Sequence, residues 1–276
     1  AIFGLRFGTD FTGGSLIEIK FTEAGRPEPQ MVQEMLKAEF RDLGEVTVSP
    51  AGEDSFILRM KEIDEPSHQA ILSVLQSKFS GLQEDRFDSI GGVIGRELKQ
   101  KSIVAVILVL ALIVIYIGLA FRKLAGVLPP LAMGLASIVA LLHDVLIPIG
   151  VFSFLGHYYG VEITAVFVAA ALTILGYSVS DTVVIFDRVR ENILRQGGKE
   201  NLPALVHTSI KQTLTRSINT SLTTLLSLLA IFFFGGETLK YFSLALIIGI
   251  FLGAYSSFFV ALPILVWLAS KKRRSL

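Results

Sequence analysis

Long apolar runs recur through the second part of the chain and predict five membrane spans. A transmembrane helix needs about 20 predominantly apolar residues, and runs of that size cover residues 102–121, 124–142, 163–180, 217–236 and 241–270. The second run continues past His143 and Asp144, and the third continues past Asp181. At about 1.5 Å per residue the last run would be about 45 Å long, against a hydrocarbon core of roughly 30 Å. It must therefore tilt, bend near Pro263 or extend beyond the bilayer.

Hydrophobic positions in the first hundred residues follow shorter periods and predict a small α+β domain. Ile17, Ile19 and Phe21 alternate with polar residues, which is the period of a half-buried strand. Apolar residues at helical spacing predict helices over 28–43 and 66–79. Alternation predicts three further strands, over 45–48, 55–60 and 82–90, with a turn at 49–52 between the first two of them. The order βαββαβ is typical of a ferredoxin-like sandwich.

Composition supports this division of the chain. Hydrophobic residues make up 52% and charged residues only 18%, against about 25% charged in an ordinary soluble domain. Residues 1–100 hold 17 acidic and 11 basic residues, whereas residues 101–276 hold 7 and 14. These values exclude a soluble globule, a disordered chain and a nucleic-acid binder dominated by basic charge.

The predicted fold is an α-helical polytopic membrane protein with an external α+β ferredoxin-like domain. Its predicted parts are a tail at 1–7, the external domain at 8–100 and a transmembrane domain at 101–276, with a cytoplasmic loop at about 187–215. Lys and Arg cluster between the spans on one side and after the last span, which predicts a cytoplasmic C-terminus and an external N-terminal domain. No signal-peptide pattern precedes that domain, so we expect a sixth, N-terminal membrane helix from which residues 1–7 trail.

Asp181 and Arg216 are the strongest candidates for chemistry inside the membrane. An Asp at the centre of a membrane helix costs about 2.5–3.5 kcal/mol, and an intramembrane ionisable residue is by default a functional-site hypothesis. The alternative is an interfacial carboxylate that reaches cytoplasmic water or caps a neighbouring helix. Arg216 opens the next span and lies near the same end of the membrane as Asp181. This matched depth allows an ion pair between them.

A polar stripe follows Arg216 along its helix, with members at offsets of 4, 7, 8 and 11 residues: Thr220, Thr223, Thr224 and Ser227. This spacing places the guanidinium above a polar stripe on one face of the helix. The alternative is a snorkelling Arg above hydroxyls that hydrogen-bond their own helix.

The adjacent pair His143 and Asp144 has two interpretations. It is a candidate proton relay, or it marks the outer end of a helix whose kink is set by Pro129 and Pro130. Gly249 and Gly253, by contrast, form a small-xxx-small pattern that indicates close helix packing.

Enzyme and metal signatures are absent from the sequence. It contains no phosphate loop, no HExxH and no GxSxG motif, and its four His residues have no metal-ligand spacing. With no cysteine, a thiolate nucleophile or metal site is also excluded. We therefore predict a protein that is not an enzyme and needs no metal or cofactor.

Several motifs resemble one family across nearly the whole chain. Asp10, Phe11, Thr12, Gly13 and Gly14 form a DFTGG motif. Three further motifs are SIGGVIGREL at 89–98, GYSVSDTVVIFDRVREN at 176–192 and RSINTS at 216–221. Together they are similar to the SecD/SecF family of protein-export membrane proteins, which is related to proton-driven exporters of the resistance-nodulation-division superfamily.

The resemblance implies six helices and a periplasmic domain between the first two, in the bacterial inner membrane. It implies an accessory subunit of the Sec preprotein translocase, driven by the proton-motive force, with a SecD protein, SecYEG and unfolded preprotein as partners and YajC and YidC as further candidates. It maps the family's proton-coupling Asp to Asp181 and its Arg to Arg216.

The alternative function is a proton-driven small-molecule or lipid exporter of the same superfamily, which should carry larger external domains than the roughly 90 residues here. A third alternative, a purely structural scaffold, would need no ionisable pair at matched depth.

Overall fold

The chain folds into two compact units, one formed by Arg6–Ile103 with Glu162–Ala165 and the other by Ala1–Leu5, Val104–Val161 and Val166–Leu276. The computed structural model describes residues 4–22, 26–122, 130–196 and 201–274, without the side chains of Pro130, Glu237, Thr238 and 271–274. Lys123, Pro129 and Lys199 lie outside the described residues, as do the side chains of the C-terminal basic cluster, so the basic clusters and the proline pair are only partly described.

The N-terminal unit is a four-stranded antiparallel sheet in the order β2-β3-β1-β4. Its elements are α1 (Thr9–Thr12), β1 (Gly14–Phe21), α2 (Pro29–Glu39), β2 (Thr47–Ala51), β3 (Ser55–Met60), α3 (Glu65–Lys78) and β4 (Leu82–Ile90). The predicted βαββαβ order is confirmed, with the single turn α1 added before it. Ile17 and Ile19 are fully buried beneath Leu36 and Ile71, because alternate strand positions face the helices.

One strand of this unit differs from the prediction. The strand expected at 45–48 lies at Thr47–Ala51, so most of the turn expected at 49–52 is strand. The chain reverses after Ala51, where Gly52 adopts a φ of 62° that favours glycine. Pro50 is accepted because β2 lies at the edge of the sheet, where the missing N–H breaks no ladder.

Five helices in the described residues are long and apolar enough to cross a membrane, as predicted. The remaining helices are α4 (Gly92–Ala120), α5 (Pro130–Tyr159), α6 (Ala165–Arg195), α7 (Leu202–Phe234), α8 (Glu237–Ser256) and α9 (Leu262–Arg274), with a π-helical turn at Ser257–Ala261 between the last two. The unit that contains most of their residues is called the membrane unit here, whereas residues 92–103 of α4 belong to the N-terminal unit. The last apolar run was predicted to tilt, bend near Pro263 or extend beyond the bilayer, and the structure places this π turn two residues before Pro263. Proline has no N–H to continue the α-helical pattern, so the hydrogen bonding changes there.

Most of the segment predicted as a loop at 187–215 is helical. α6 continues to Arg195, and α7 begins at Leu202. Ion pairs along one helix turn support this extension, since Arg190 contacts Asp187 at 3.0 Å and Arg195 contacts Glu191 at 2.6 Å. The charges that suggested a loop therefore pair with one another on a helix surface.

The close packing predicted for Gly249 and Gly253 is confirmed. A Cβ atom on Gly249 would lie 2.2 Å from Ile174 Cδ1, and one on Gly253 would lie 3.1 Å from Ser178 Cβ. Glycine at both positions lets α8 approach α6 closely.

Candidate functional site

Asp181 lies on α6, where Ser217 of α7 reaches it. Ser217 Oγ donates a hydrogen bond of 2.5 Å to Asp181 Oδ1. The other carboxylate oxygen, Oδ2, is buried and has no hydrogen-bond partner among the described residues. One carboxylate oxygen therefore joins two helices, and the other retains the capacity to bind a proton.

Arg216 lies beside this carboxylate without forming an ion pair with it. In the described parts of the chain no carboxylate comes within 4.0 Å of its guanidinium, and the residue is exposed. Successive residues of a helix point about 100° apart, so Arg216 turns aside when Ser217 faces Asp181. The ion pair that the matched depth allows is thus replaced here by a serine hydrogen bond.

A small cavity of about 100 Å³ nevertheless contains both residues. It lies between α6 and α7 and is lined by Tyr177, Ser180, Asp181, Val184, Arg216, Ser217 and Thr220. Asp181 and Arg216 therefore line one cavity, so a modest rotation of either helix would change the distance between their charges.

The face of α7 that packs inward carries small hydroxyl residues at every fourth position. Ser209, Thr213, Ser217 and Ser221 are all buried. Their i, i+4 spacing places them on one side of the helix, and Ser209 accepts a hydrogen bond of 2.8 Å from Asn192 of α6. The sequence analysis missed this stripe, although a run of small residues at this spacing is a recognisable signal of helix packing.

The polar stripe singled out from the sequence lies on a neighbouring face. Thr220 and Thr223 are exposed, and Thr224 is half-buried. Each hydroxyl donates to a carbonyl oxygen of its own helix; Thr220, for example, donates to Arg216 O at 2.9 Å and Thr224 to Thr220 O at 3.0 Å. In this structure these hydroxyls satisfy the backbone and do not contact Asp181.

His143 and Asp144 lie near the middle of α5, so the interpretation as a helix end is wrong. Asp144 has no exposed surface. His143 Nδ1 lies 2.9 Å from its Oδ1, whereas Oδ2 accepts hydrogen bonds from Ser178 of α6 at 2.5 Å and Ser256 of α8 at 2.6 Å. The proline inside this helix is Pro148.

A second hydroxyl contact follows on the same side of α6. Thr182 Oγ1 and Ser257 Oγ are 2.9 Å apart and both residues are buried. The sequence analysis did not single out these hydroxyls or Ser178 and Ser256, although the SVSDT run of α6 and the YSS run of α8 carry more polar residues than apolar spans usually do.

The DFTGG motif shapes the start of the N-terminal unit. Asp10 Oδ2 accepts a hydrogen bond of 2.7 Å from the backbone N–H of Ala165, the first residue of α6, where a negative charge is favourable. Phe11 is buried, and Thr12 Oγ1 donates to Gly8 O.

Gly13 and Gly14 adopt φ values of 79° and 129°, and a Cβ atom on Gly13 would lie 2.5 Å from the Cα atom of Gly92. This geometry explains why glycine stands at both positions.

Proton donors and acceptors are the chemistry that this interior offers. Among the described residues no group of three or more His, Cys, Asp and Glu side chains could hold a metal ion. The groups present are carboxylates, an imidazole and hydroxyls, all of which exchange or relay protons.

Comparisons with protein families match most of the chain. Residues 70–271 match the family described as "Protein export membrane protein SecD/SecF, C-terminal". Residues 1–24, which include the DFTGG run, match the "SecD/SecF GG Motif".

Individual relatives agree with these matches. The "Protein translocase subunit SecF" of Thermobaculum terrenum is 43% identical, over 96% of this chain and 85% of its own length. The subunit of the same name from Anaerolinea thermophila is 40% identical over the same shares.

A solved structure has the same fold. It is the crystal structure of SecDF, a translocon-associated membrane protein from Thermus thermophilus, with a TM-score of 0.81 and 32% identity over 99% of this chain. This chain covers 35% of that one, so it spans about a third of SecDF.

Proposed function

The chain belongs to the SecD/SecF family of protein export membrane proteins, and we propose that it serves the Sec translocase as an accessory subunit in which proton movement through Asp181 drives late stages of preprotein export. The relatives are named as translocase subunits. The motif that carries Asp181 lies within the matched residues.

One observation carries the proton-coupling part of this proposal. Asp181 Oδ2 is buried in a membrane-spanning helix and unpartnered among the described residues, beside a cavity that also contains Arg216. A buried carboxylate without a second hydrogen bond gains by binding a proton, because the neutral acid avoids the cost of a buried charge. Protonation would also weaken the attraction of the site for Arg216.

The resulting change would act on the contact between α6 and α7. Loss of the negative charge weakens the hydrogen bond from Ser217 to Asp181, because bonds to charged groups are stronger than bonds to neutral ones. One charge that crosses about 100 mV supplies roughly 2.3 kcal/mol, which is comparable with the few kcal/mol that separate switching conformers. One proton is therefore enough to bias such a switch.

The proposal includes a location and a set of partners. We place the helices in the bacterial inner membrane, with the N-terminal unit in the periplasm and the C-terminus in the cytoplasm, which follows the distribution of Lys and Arg along the chain. A SecD protein is the first partner, since the solved relative is a SecDF protein. SecYEG and unfolded preprotein complete the assembly, and YajC and YidC are candidates for it.

The decisive experiment replaces Asp181 in the full protein. Asp181→Asn keeps the shape of the side chain and its capacity to accept from Ser217, but it cannot cycle between charged and neutral forms. We expect normal membrane levels, with export of a signal-sequence preprotein reduced to the level seen without a proton gradient, and no proton flux through the reconstituted complex. Asp187→Asn is the matched control, because Asp187 lies on the same helix but is exposed and paired with Arg190.

Two results would contradict the proposal. Wild-type export and proton flux in Asp181→Asn would remove the proton-coupling role. Normal export with loss of drug or lipid efflux in depleted cells would favour the exporter alternative.

Arg216→Lys adds a graded test, since it keeps the charge but loses the planar guanidinium. We expect it to reduce export at least partly while leaving assembly intact.

A further inference from the structure

We propose that Asp144, together with His143, Ser178 and Ser256, forms a second proton-binding site in the interior of the membrane-spanning helices. The role of this proton in export rests on the proposed function, whereas the binding of a proton at Asp144 does not. The site is separate from the carboxylate of Asp181, and it joins three helices, α5, α6 and α8.

Asp144 is completely buried and hydrogen-bonded at both carboxylate oxygens. The residue has no exposed surface, yet both carboxylate oxygens have polar partners within 2.5–2.9 Å. A buried network in which every member is satisfied fixes the position of its acid closely. Asp144 is therefore held in one geometry, as a group that exchanges a proton repeatedly must be.

One basic side chain lies beside the Asp144 carboxylate. Within the described ranges the only basic side chain in contact with Asp144 is His143. An ionised Asp144 beside a neutral imidazole leaves a net negative charge among apolar helices, which is costly. A proton taken up by the pair makes it neutral overall and so removes this net charge.

His143 connects the buried Asp144 carboxylate with the surface of the helices. The side chain of His143 is 27% exposed, whereas that of Asp144 is completely buried. The imidazole contacts Asp144 through Nδ1 and stacks on Tyr255, with ring centroids 6.3 Å apart. Histidine can accept a proton on one ring nitrogen and release one from the other, so His143 can pass a proton between the helix surface and the buried acid.

Buried hydroxyl groups lie between Asp144 and the part of α6 that carries Asp181. Ser178 precedes Asp181 by three residues, on the same side of α6. Ser256 and Ser257 are consecutive and both fully buried; Ser256 contacts Asp144, and Ser257 contacts Thr182. The π-helical turn begins at Ser257, and such turns occur frequently at functional sites. Two hydroxyl contacts, made by the adjacent residues Ser256 and Ser257, thus lie between Asp144 and Thr182, the residue next to Asp181.

The other candidate role for this network is purely structural, as a set of hydrogen bonds that ties the three helices together. That role requires hydrogen bonds but no exchange of protons. Groups that could confuse the titration are those that face the site: His143 on the same helix, Asp181 on α6 and Tyr255 on α8. The experiment must separate Asp144 from each of them.

Infrared difference spectroscopy between acid and alkaline pH separates them, with the purified full chain reconstituted in lipid. All variants carry Asp181→Asn, so the result does not depend on the export activity that this substitution is expected to abolish. We expect a pH-dependent carboxyl signal that disappears when Asp144→Asn is added. His143→Gln should move the pH at which the signal changes, and Tyr255→Phe should leave the signal in place.

A second variant keeps the test valid if Asp144→Asn fails to fold. Ser178→Ala combined with Ser256→Ala keeps the carboxyl group but removes two of its hydrogen bonds, so its C=O stretching band should move to higher frequency. Spectra in which no pH-dependent band responds to the folded variants would overturn the proposal. Failure of the export test with Asp181→Asn alone would instead count against the proposed function and leave the spectra unaffected.

Discussion

The hydrogen bond from Ser217 to Asp181 joins α7 to α6 over 2.5 Å. A serine suits this position because its short side chain allows the helices to approach, while its hydroxyl satisfies a buried oxygen. Arg216, one position earlier, has the charge that the sequence suggests for a partner but points to a different side of α7. At the scale of one residue, the rotation of the helix decides which of two neighbours holds the carboxylate.

Ser217→Ala tests this contact. The change removes the donor to Asp181 Oδ1, and removal of a donor to a buried acceptor costs about 1–3 kcal/mol. We expect the thermal unfolding temperature in detergent to fall and proton flux in proteoliposomes to be altered. Ser227→Ala is the control, because Ser227 is exposed on the same helix and bonds only its own backbone. Equal unfolding temperatures for both variants would show that the Ser217 bond contributes nothing.

Glu162 is a half-buried acid outside the spans, in the segment before α6. Arg59 Nε contacts its Oε2 at 3.0 Å. Burial nevertheless raises the pKa of the Glu162 carboxyl above its ordinary value of 4.5, and this effect exceeds the opposing influence of Arg59 and Arg6. The folded state therefore binds this proton more tightly than the unfolded state does.

The stability of the N-terminal unit should depend on pH through Glu162. Its contribution is fully present below the unfolded pKa of about 4.5 and is lost as pH rises through the higher folded pKa. Glu162→Gln cannot ionise, so its unfolding temperature relative to wild type should increase as pH rises from 4.5 to 8, when measured by calorimetry of the full chain in detergent. Glu45→Gln, at an exposed position, should run parallel to wild type. A Glu162→Gln difference that stays constant with pH would refute the assignment.

At the scale of elements, the contact between α6 and α8 depends on the absence of a side chain. Gly249 leaves room for Ile174, whose Cδ1 would lie only 2.2 Å from an added Cβ. Real Cβ atoms do not approach so closely, so one of the helices would have to move. The same contact brings Ser178 near Gly253 and therefore supports the network around Asp144.

Gly249→Val should destabilise the membrane unit by about 1–3 kcal/mol or more, since overpacking forces strain into a tight interface. Ile174→Ala removes the clashing atoms, so the double variant should recover part of the loss. Thermal unfolding in detergent measures both. Gly118→Val on α4 is the control, because nothing lies within 4 Å of a Cβ atom there. An equal loss in the single and double variants would place the strain elsewhere.

At the scale of the whole molecule, α7 presents a polar face that the described parts of this chain leave exposed. Arg216, Thr220 and Thr223 are exposed on a helix that is only 17% buried over its most apolar segment. The threonine hydroxyls donate hydrogen bonds to carbonyl oxygens of their own helix, but exposing the charge of a guanidinium to lipid is energetically costly. Under the proposed function, a SecD partner covers this face.

Single cysteines test that arrangement cleanly, because the chain contains no cysteine of its own. Thr223→Cys should cross-link to cysteines placed in the spans of a co-expressed SecD protein, with yields read from non-reducing gels. Leu112→Cys, exposed on α4, is the comparison position and should cross-link less. Cross-linking at Leu112 alone would show that the partner covers a different face.

Much of the fold could be predicted because its elements follow local periodicity. The strand at Ser55–Met60 and the one at Leu82–Ile90 lie where alternation predicted them, and five apolar runs became five spanning helices. The boundaries that differed depend on particular side-chain pairs and on one turn residue, which the period of hydrophobic positions does not report. The end of α6 is stabilised by charge pairs around a helix turn, and β2 is shifted toward the turn at Gly52.

The sequence by itself determined which groups could carry chemistry. Asp181, Arg216, His143 and Asp144 are conspicuous because charge is costly in an apolar span, and that cost can be read without coordinates. Only the tertiary structure decided which groups meet. It pairs Asp181 with Ser217 and surrounds Asp144 with Ser178 and Ser256, hydroxyls too common along the chain to stand out. The reason is physical: the cost of burying a charge is local, whereas the hydrogen bonds that compensate it depend on how separate helices rotate and pack.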